Sequence, residues 1–543
     1  MTLRGIARPN ERRPTMKSSN LYRVLAVILL LSCLLTMALP MAVTAEESVD
    51  AEYEAKKAAY REQLMADDVT SDDLLIGSWV TFYSFEIDSY EYQLDQMAAA
   101  GINFNMFPRD FGAGAMFDAA YWENIEEQYA KRNMIYLMNG NMSESNIAIG
   151  VEYANGKEHC IGYHVVDEPT ADRFAEISRL VNIYREADQT RYPLVNLFPS
   201  YAPEWALGGT YYEHVNNFVQ TIGAENIEYL SHDYYPFRDG GVVLTDIFGD
   251  MEVLRKVAYE NGKLKTHAFP QSTAWNGTRM PTADEMRWNV YGYLAYGFKA
   301  LSWFNLVCPG SSDTEGEGFR DSLIYRDGTI RDPELYAAWS ELNWEVRGLS
   351  SVLMNLDTVH AYHVMKNVEG VEYLPEDYFL QPDGRNDFIV SHMESKDGEE
   401  TYIMLFNKNS KRKASCDFDV SADSGVKWME YFDPFIGEYV PVDISSGSLE
   451  DSFRAGEGKL YRLRYDDPPV EETTEEITTE EPATEAPTDP ETTAPATEAA
   501  TTEAPTDPET TAAEKSGCGS ALGGSALLLL GGAALILRKR KHE

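Results

Sequence analysis

Eight short apolar runs alternate with stretches of helical periodicity between residues 75 and 304, and no other feature limits the possible folds so sharply. The runs fall at 75–81, 102–107, 134–138, 161–166, 194–197, 229–232, 264–269 and 300–304. Helix-like segments separate them at 90–100, 122–132, 143–153, 171–187, 216–222, 246–261 and 283–296, and another at 333–346 follows the last run. Strands joined through helices lie parallel, and eight of them close a barrel. The expected fold class is therefore α/β: a (β/α)8 TIM barrel over residues 73–350. A doubly wound open sheet is the alternative, but Gly112-Ala113-Gly114 sits in a long loop and completes no phosphate-binding fingerprint.

Past residue 357 the texture changes. Short alternating runs at 358–364, 388–392, 401–406, 415–420, 428–432 and 460–465, with turns such as Asp397-Gly398, predict a small antiparallel β-sandwich over 355–465. Residues 46–72 read as a charged helical lead-in.

Both ends carry export features. Basic residues up to Arg23, an apolar run at 24–31 and Ala42-Val43-Thr44-Ala45 make residues 1–45 a signal peptide. Residues 466–515 are nearly all Thr, Glu, Pro, Ala and Asp, a composition that buries no core and stays extended as a stalk. Residues 519–537 are uncharged and apolar, close to the ~20 residues that span a bilayer, and a basic tail at 538–543 follows, expected to be cytoplasmic. A sorting signal removed after export is the alternative for this segment. Either way the chain is expected on the extracellular face of the membrane or the cell wall. Ser516-Gly517-Cys518-Gly519 resembles the tails of surface proteins in Gram-positive anaerobes, although no Leu-Pro-x-Thr-Gly motif is present.

The formal charge of −42 argues against nucleic acid as a partner, because binding phosphates takes a basic surface. Cys160, Cys308 and Cys416 are few, scattered and odd in number, so neither a disulfide framework nor a metal knuckle is indicated. No cofactor is expected.

Strand ends converge in a barrel, so the residues just past each run carry the chemistry. The run Gly162-Tyr163-His164-Val165-Val166 ends in Asp167-Glu168, and Pro169 is expected to open the next helix. The fifth run presents Asn196, the sixth His232-Asp233-Tyr234-Tyr235, the seventh Gln271 and then Trp275, and the eighth Trp303, with Glu315 and Glu317 in the loop beyond. Adjacent carboxyls are costly unless something uses or pairs them. Glu168 and Asp233 are the candidate catalytic residues; Asp167, Asn196, Tyr235, Gln271, Trp275 and Trp303 are the candidate substrate-binding residues. Carboxyls ringed by aromatic and amide groups suit a polysaccharide or oligosaccharide. Rings pack on sugar faces, amides bridge hydroxyls, and two acids flank the scissile bond. Structural roles compete for the same residues: Asp167 as a helix cap, Trp275 and Trp303 as core, His164 as a hydrogen-bonded core histidine, Glu315 and Glu317 as solvated loop. The spacing at 313–317 matches no calcium loop.

The segment 162–304 resembles the clan of retaining glycoside hydrolases built on a β/α barrel, especially its β-galactosidase-like members. The resemblance lies in Gly-Tyr-His-Val-Val-Asp-Glu-Pro from Gly162, Val-Asn-Leu-Phe-Pro from Val195, His-Asp-Tyr-Tyr-Pro-Phe from His232 and Leu-Ala-Tyr-Gly-Phe-Lys-Ala-Leu-Ser-Trp-Phe from Leu294. It implies an O-glycosyl hydrolase with Glu168 as acid/base and Asp167 holding a sugar hydroxyl. It also implies a nucleophilic glutamate at the end of the seventh strand, where this chain has Gln271. An amide cannot form the glycosyl ester. Three readings stay open: Asp233 supplies the second carboxylate, Glu315 or Glu317 reaches in, or the barrel binds glycans without cutting them. The first is preferred, and the separation of Asp233 from Glu168 would then indicate inversion at ~6.5–9.5 Å or retention at ~5–5.5 Å.

Overall fold

The computed structural model describes residues 45–80, 87–108, 118–140, 143–275, 277–308, 318–325 and 327–468. Two compact units divide the chain, 1–60 and 61–543. The described part of the first is helical, belonging to the helix Ala45–Ala66. Residues 1–44, the stalk from 469 onward and the apolar stretch at 519–537 lie outside the described residues. Among those that are described, no helix is long and apolar enough to cross a membrane.

In the second unit eight strands close a parallel barrel: β1 (Leu75–Val80), β2 (Phe104–Phe107), β3 (Ile135–Asn139), β4 (Cys160–Asp167), β5 (Tyr192–Leu197), β6 (Tyr229–Asp233), β7 (Lys265–Phe269) and β8 (Ala300–Trp303). Their order is β1-β8-β7-β6-β5-β4-β3-β2, and the pairing Leu75↔Ala300 seals the ring and excludes the open-sheet alternative. Alternate residues of each strand face the lumen and the helices. Leu75, Phe104, Ile135, Leu137, Tyr192, Leu194, Tyr229 and Ala300 pack together as an apolar floor, each buried side chain of this size contributing about 1.5–3 kcal/mol. Crowding there explains Gly162: a Cβ at that position would run into the Tyr192 carbonyl oxygen.

Eight helices wrap the barrel: α1 (Ile87–Ala99), α2 (Ala119–Ala130), α3 (Glu144–Ala154), α4 (Phe174–Ala187), α5 (Tyr211–Ile222), α6 (Ile247–Glu260), α7 (Ala283–Ala295) and α8 (Pro333–Gly348). Side-chain caps set several starts. Asp118 caps α2 and Ser143 caps α3, Thr210 with Glu213 and Thr282 with Glu285 form capping boxes on α5 and α7, and Asp332 caps α8 ahead of Pro333. One expectation is corrected: Pro169 opens no helix. A 3-10 turn at Ala171–Arg173 intervenes and α4 begins only at Phe174.

Beyond the barrel, β9 (Leu356–His363), β10 (Leu380–Pro382), β11 (Phe388–Ser395), β12 (Thr401–Asn407), β13 (Ala414–Val420), β14 (Trp428–Asp433), β15 (Glu438–Val442), β16 (Ser448–Phe453) and β17 (Gly458–Arg464) form two antiparallel sheets. The larger runs β9-β11-β12-β17-β14-β15, and the smaller β10-β13-β16. Phe388, Val390, Ile403, Leu405, Phe418 and Phe453 fill the space between them. The opposite face of the larger sheet, through Ile389, Met393, Met404 and Phe406, belongs to the same apolar core as the barrel helices.

Candidate active site

At the C-terminal ends of β4 to β6 three carboxyl groups meet. Asp167 ends β4, Glu168 follows it, and Asp233 ends β6. Glu168 holds a left-handed backbone at φ +45°, which costs a non-glycine residue about 1–2 kcal/mol, while its N–H donates to the Asn196 carbonyl at 2.8 Å. That turn continues the ladder for one residue and sends the glutamate into the mouth of the barrel. Its carboxyl feels the charges of Asp233 and Asp167 beside it.

Asn196 joins the other two acids. Its Nδ2 donates to Asp167 Oδ1 at 3.0 Å and to Asp233 Oδ1 at 3.2 Å, and its Oδ1 accepts from Ser231 Oγ at 2.9 Å. Tyr235, also buried, feels the charges of all three acids. Burial pushes all three acids upward. Asp167 rises to about 7, from burial first and then from the charge of Asp233, with Asn196 pulling the other way. Asp233 rises to about 6, burial again dominating over the hydrogen bond from Asn196. Glu168 stands well above the ordinary carboxylate range, through burial and the two neighbouring charges. The three acids titrate as one coupled cluster, with Glu168 favouring its protonated form through burial and the two neighbouring charges.

Two aromatic groups gather at the strand ends. Tyr235, Trp275 and Phe304 contact one another with ring centroids 4.9–5.4 Å apart. In the second, Trp79 meets Phe107, His164 and Phe269 at 4.8–5.3 Å. Tyr201, in the loop after β5, feels the charges of Asp233 and Glu168 and carries the Arg238 guanidinium 5.4 Å above its ring. His164 is neutral, pushed down to about 3 by burial, and its buried Nε2 has no hydrogen-bond partner among the described residues.

The structure thus brings together Asp167, Glu168, Asn196, Asp233, Tyr235 and Trp275. It separates others from them. Gln271 is fully buried, its Oε1 accepting from the Phe237 N–H and its Nε2 donating to the Thr273 and Arg279 carbonyls at 3.1 and 2.9 Å; it ties a loop together and offers nothing to a ligand. Trp303 is also fully buried, donating to Asn343 Oδ1 at 2.9 Å and packing on Trp339 of α8. Asn196 has both amide hydrogens on carboxyls, so it clamps acids and leaves no hydrogen for a sugar hydroxyl. Asp167 caps no helix, and the expected hydrogen bond of a core histidine is missing at His164 Nε2. Glu315, Glu317 and the 313–317 stretch lie outside the described residues. The lumen-facing position at the end of β7 is Phe269, which pairs in register with Asp233. No group of three or more His, Cys, Asp or Glu residues is placed to hold a metal ion among the described residues.

Fold and site together define a (β/α)8 barrel with a buried acid cluster at its C-terminal mouth. No family model and no curated protein matches the chain. It is similar to a solved structure described as a glycoside hydrolase (11% identity, TM-score 0.46, covering 73% of this chain and 96% of that one). A glycoside hydrolase family 5 structure from Bacteroides vulgatus gives 12% identity and a TM-score of 0.45 over 72% of this chain and 89% of its own. A β-galactosidase from the Antarctic haloarchaeon Halorubrum lacusprofundi gives 13% and 0.39 over 54% and 59%. Likeness this distant transfers no residue's role; each role has to come from the geometry of the site itself.

Proposed function

We propose that this chain is a cell-surface glycoside hydrolase cleaving O-glycosidic bonds of an extracellular polysaccharide or oligosaccharide, with Glu168 as general acid. The observation that carries this reading is the buried convergence of Asp167, Glu168 and Asp233 at the barrel mouth, where burial and the neighbouring charges raise Glu168 well above the ordinary carboxylate range. Glu168 gives that proton to the departing oxygen, which takes the electron pair of the broken C–O bond. Water adds to the sugar carbon and its proton returns to the acid cluster. Asp233 is the second carboxylate of the cluster, tied to Asp167 through the Asn196 amide. The rings of Tyr235 and Trp275 suit the apolar face of a sugar, and His164 Nε2 suits one of its hydroxyls. The surface location rests on the export features of the sequence at 1–45 and 466–543.

A second reading, a barrel that binds glycans without cutting them, is favoured by one observation: among the described residues no carboxylate stands at the end of β7, where Phe269 and the hydrogen-bonded Gln271 lie. Incubation of the purified chain with a panel of poly- and oligosaccharides, with binding and newly formed reducing ends both measured, separates the two. Release of sugar from any member supports the hydrolase. Binding without release on every bound member supports the second reading, and absence of both rejects the two together.

A further inference from the structure

Beneath the acids the lumen holds a buried polar chain that the proposed reaction does not use. Ser231 Oγ lies 2.9 Å from Asn196 Oδ1 and 2.8 Å from His267 Nδ1, and His267 Nε2 lies 2.9 Å from Ser302 Oγ. All four residues are 0–2% exposed, so bulk solvent does not reach them. A hydroxyl has one hydrogen to give, and a neutral imidazole has one N–H. Two proton arrangements satisfy both hydroxyls and the imidazole. In the first, Ser302 donates to Nε2, Nδ1–H donates to Ser231, Ser231 donates to the Asn196 oxygen, and the Asn196 NH2 meets the carboxyls. In the second every bond reverses: Nε2–H donates to Ser302, and Asn196 turns its carbonyl oxygen towards Asp167 and Asp233. Only the first stabilises an ionised carboxylate, since the second sets oxygen against oxygen. The tautomer of one histidine and the orientation of one amide are thus locked together.

We propose that His267 is a positioning residue for the acid cluster: neutral, with its hydrogen on Nδ1, it holds the Asn196 amide so that both N–H groups point at Asp167 and Asp233. It touches no reacting atom and acts through Ser231 and Asn196. The groups packed around the imidazole are Phe104 and Phe269, with His164 and His232 as its titratable neighbours and no carboxylate. The acids themselves face Asn196, Tyr235 and Tyr201, while Arg238 sits over the Tyr201 ring. The inference rests on the acid cluster of the proposed function, and its test needs no substrate.

Asparagine at position 267 keeps an N–H near the place of Nδ1, whereas glutamine, closer to histidine in volume, places its amide near Nε2. The experiment is NMR on the full chain: 15N in the histidine rings, and 13C in the aspartate carboxyls of the native chain, His267→Asn and His267→Gln. The native ring is expected to carry its hydrogen on Nδ1 at about pH 8, above the midpoints of both aspartates. His267→Asn should leave the midpoints of Asp167 and Asp233 close to native. His267→Gln should raise at least one by about one pH unit, a tenfold change in proton affinity. A hydrogen on Nε2 in the native ring, or two variants that titrate alike, overturns the proposal. Should both variants unfold, the native tautomer decides alone. If tautomer and titrations come out as expected while no glycan is cleaved, the positioning role stands and the hydrolase reading falls.

Discussion

At the scale of single residues, the acid cluster trades stability for a proton held at neutral pH. Asp167 and Asp233 rise from an ordinary 3.8 to about 7 and about 6. Between about pH 4 and pH 7 the folded chain keeps protons that the unfolded chain has released, so stability falls as pH rises through that window. Asp167→Asn removes one such group. It should raise stability at pH 7 by roughly 2 kcal/mol and change it little at pH 4, read from urea midpoints at both pH values. An equal effect at the two pH values would contradict the assigned cause. The sequence points to Asp167, Glu168, Asp233 and Tyr235 because each stands at a strand end. Trp303 is misplaced by that rule although the signal is present: Ala300, Ser302 and Phe304 share the lumen face by alternation, so Trp303 must face the helices. Gln271 lies two residues past the end of β7, where alternation no longer fixes direction. His267, Ser231 and Ser302 carry no motif, and only the closed ring brings them into one chain.

At the scale of elements, the eight strands are legible because a lumen packed from every side demands unbroken apolar and β-branched runs. Helix starts are legible only in part: the expected first residues of α7 and α8, 283 and 333, are the observed ones, but others are displaced. Periodicity alone begins α5 at 216, yet the helix starts at Tyr211 behind the capping box of Thr210 and Glu213. The same kind of box marks where α7 begins, at Ala283. In α4 a proline suggests an opening, but the chain stays extended there and makes a 3-10 turn before Phe174. The buried face of α5, with His214, Val215, Phe218, Val219 and Ile222, sets the helix on the barrel, and the cap fixes where it starts. Thr210→Ala should cost about 1 kcal/mol, seen as a lower urea midpoint with an unchanged slope. No change in midpoint would mean that packing alone defines the helix end.

At the scale of the whole second unit, barrel and sandwich share one core. Trp288 of α7 donates to the Lys408 carbonyl at 2.8 Å, Tyr291 donates to Glu345 at 2.8 Å, and Arg454 meets the same carboxylate at 2.9 Å. Gly348, at the end of α8, leaves no room for a side chain, since a Cβ would overlap the Pro434 carbonyl oxygen. Sequence texture marks a change near 357 but does not show that both faces of the larger sheet are buried. It also passes over β10, β15 and β16, which are short or largely polar at the surface. Calorimetry should therefore record one cooperative transition for barrel and sandwich together. Two separated transitions, with the sandwich melting alone, would contradict a shared core.

The central claim is that Glu168 gives the proton that breaks a glycosidic bond. The most direct test is sugar release by native chain and Glu168→Gln on a glycan that the native chain cleaves, with binding and thermal midpoint measured alongside. A loss of about 10²–10⁴-fold in release, with binding and midpoint retained, is the predicted result. Release that continues at the native rate would contradict it.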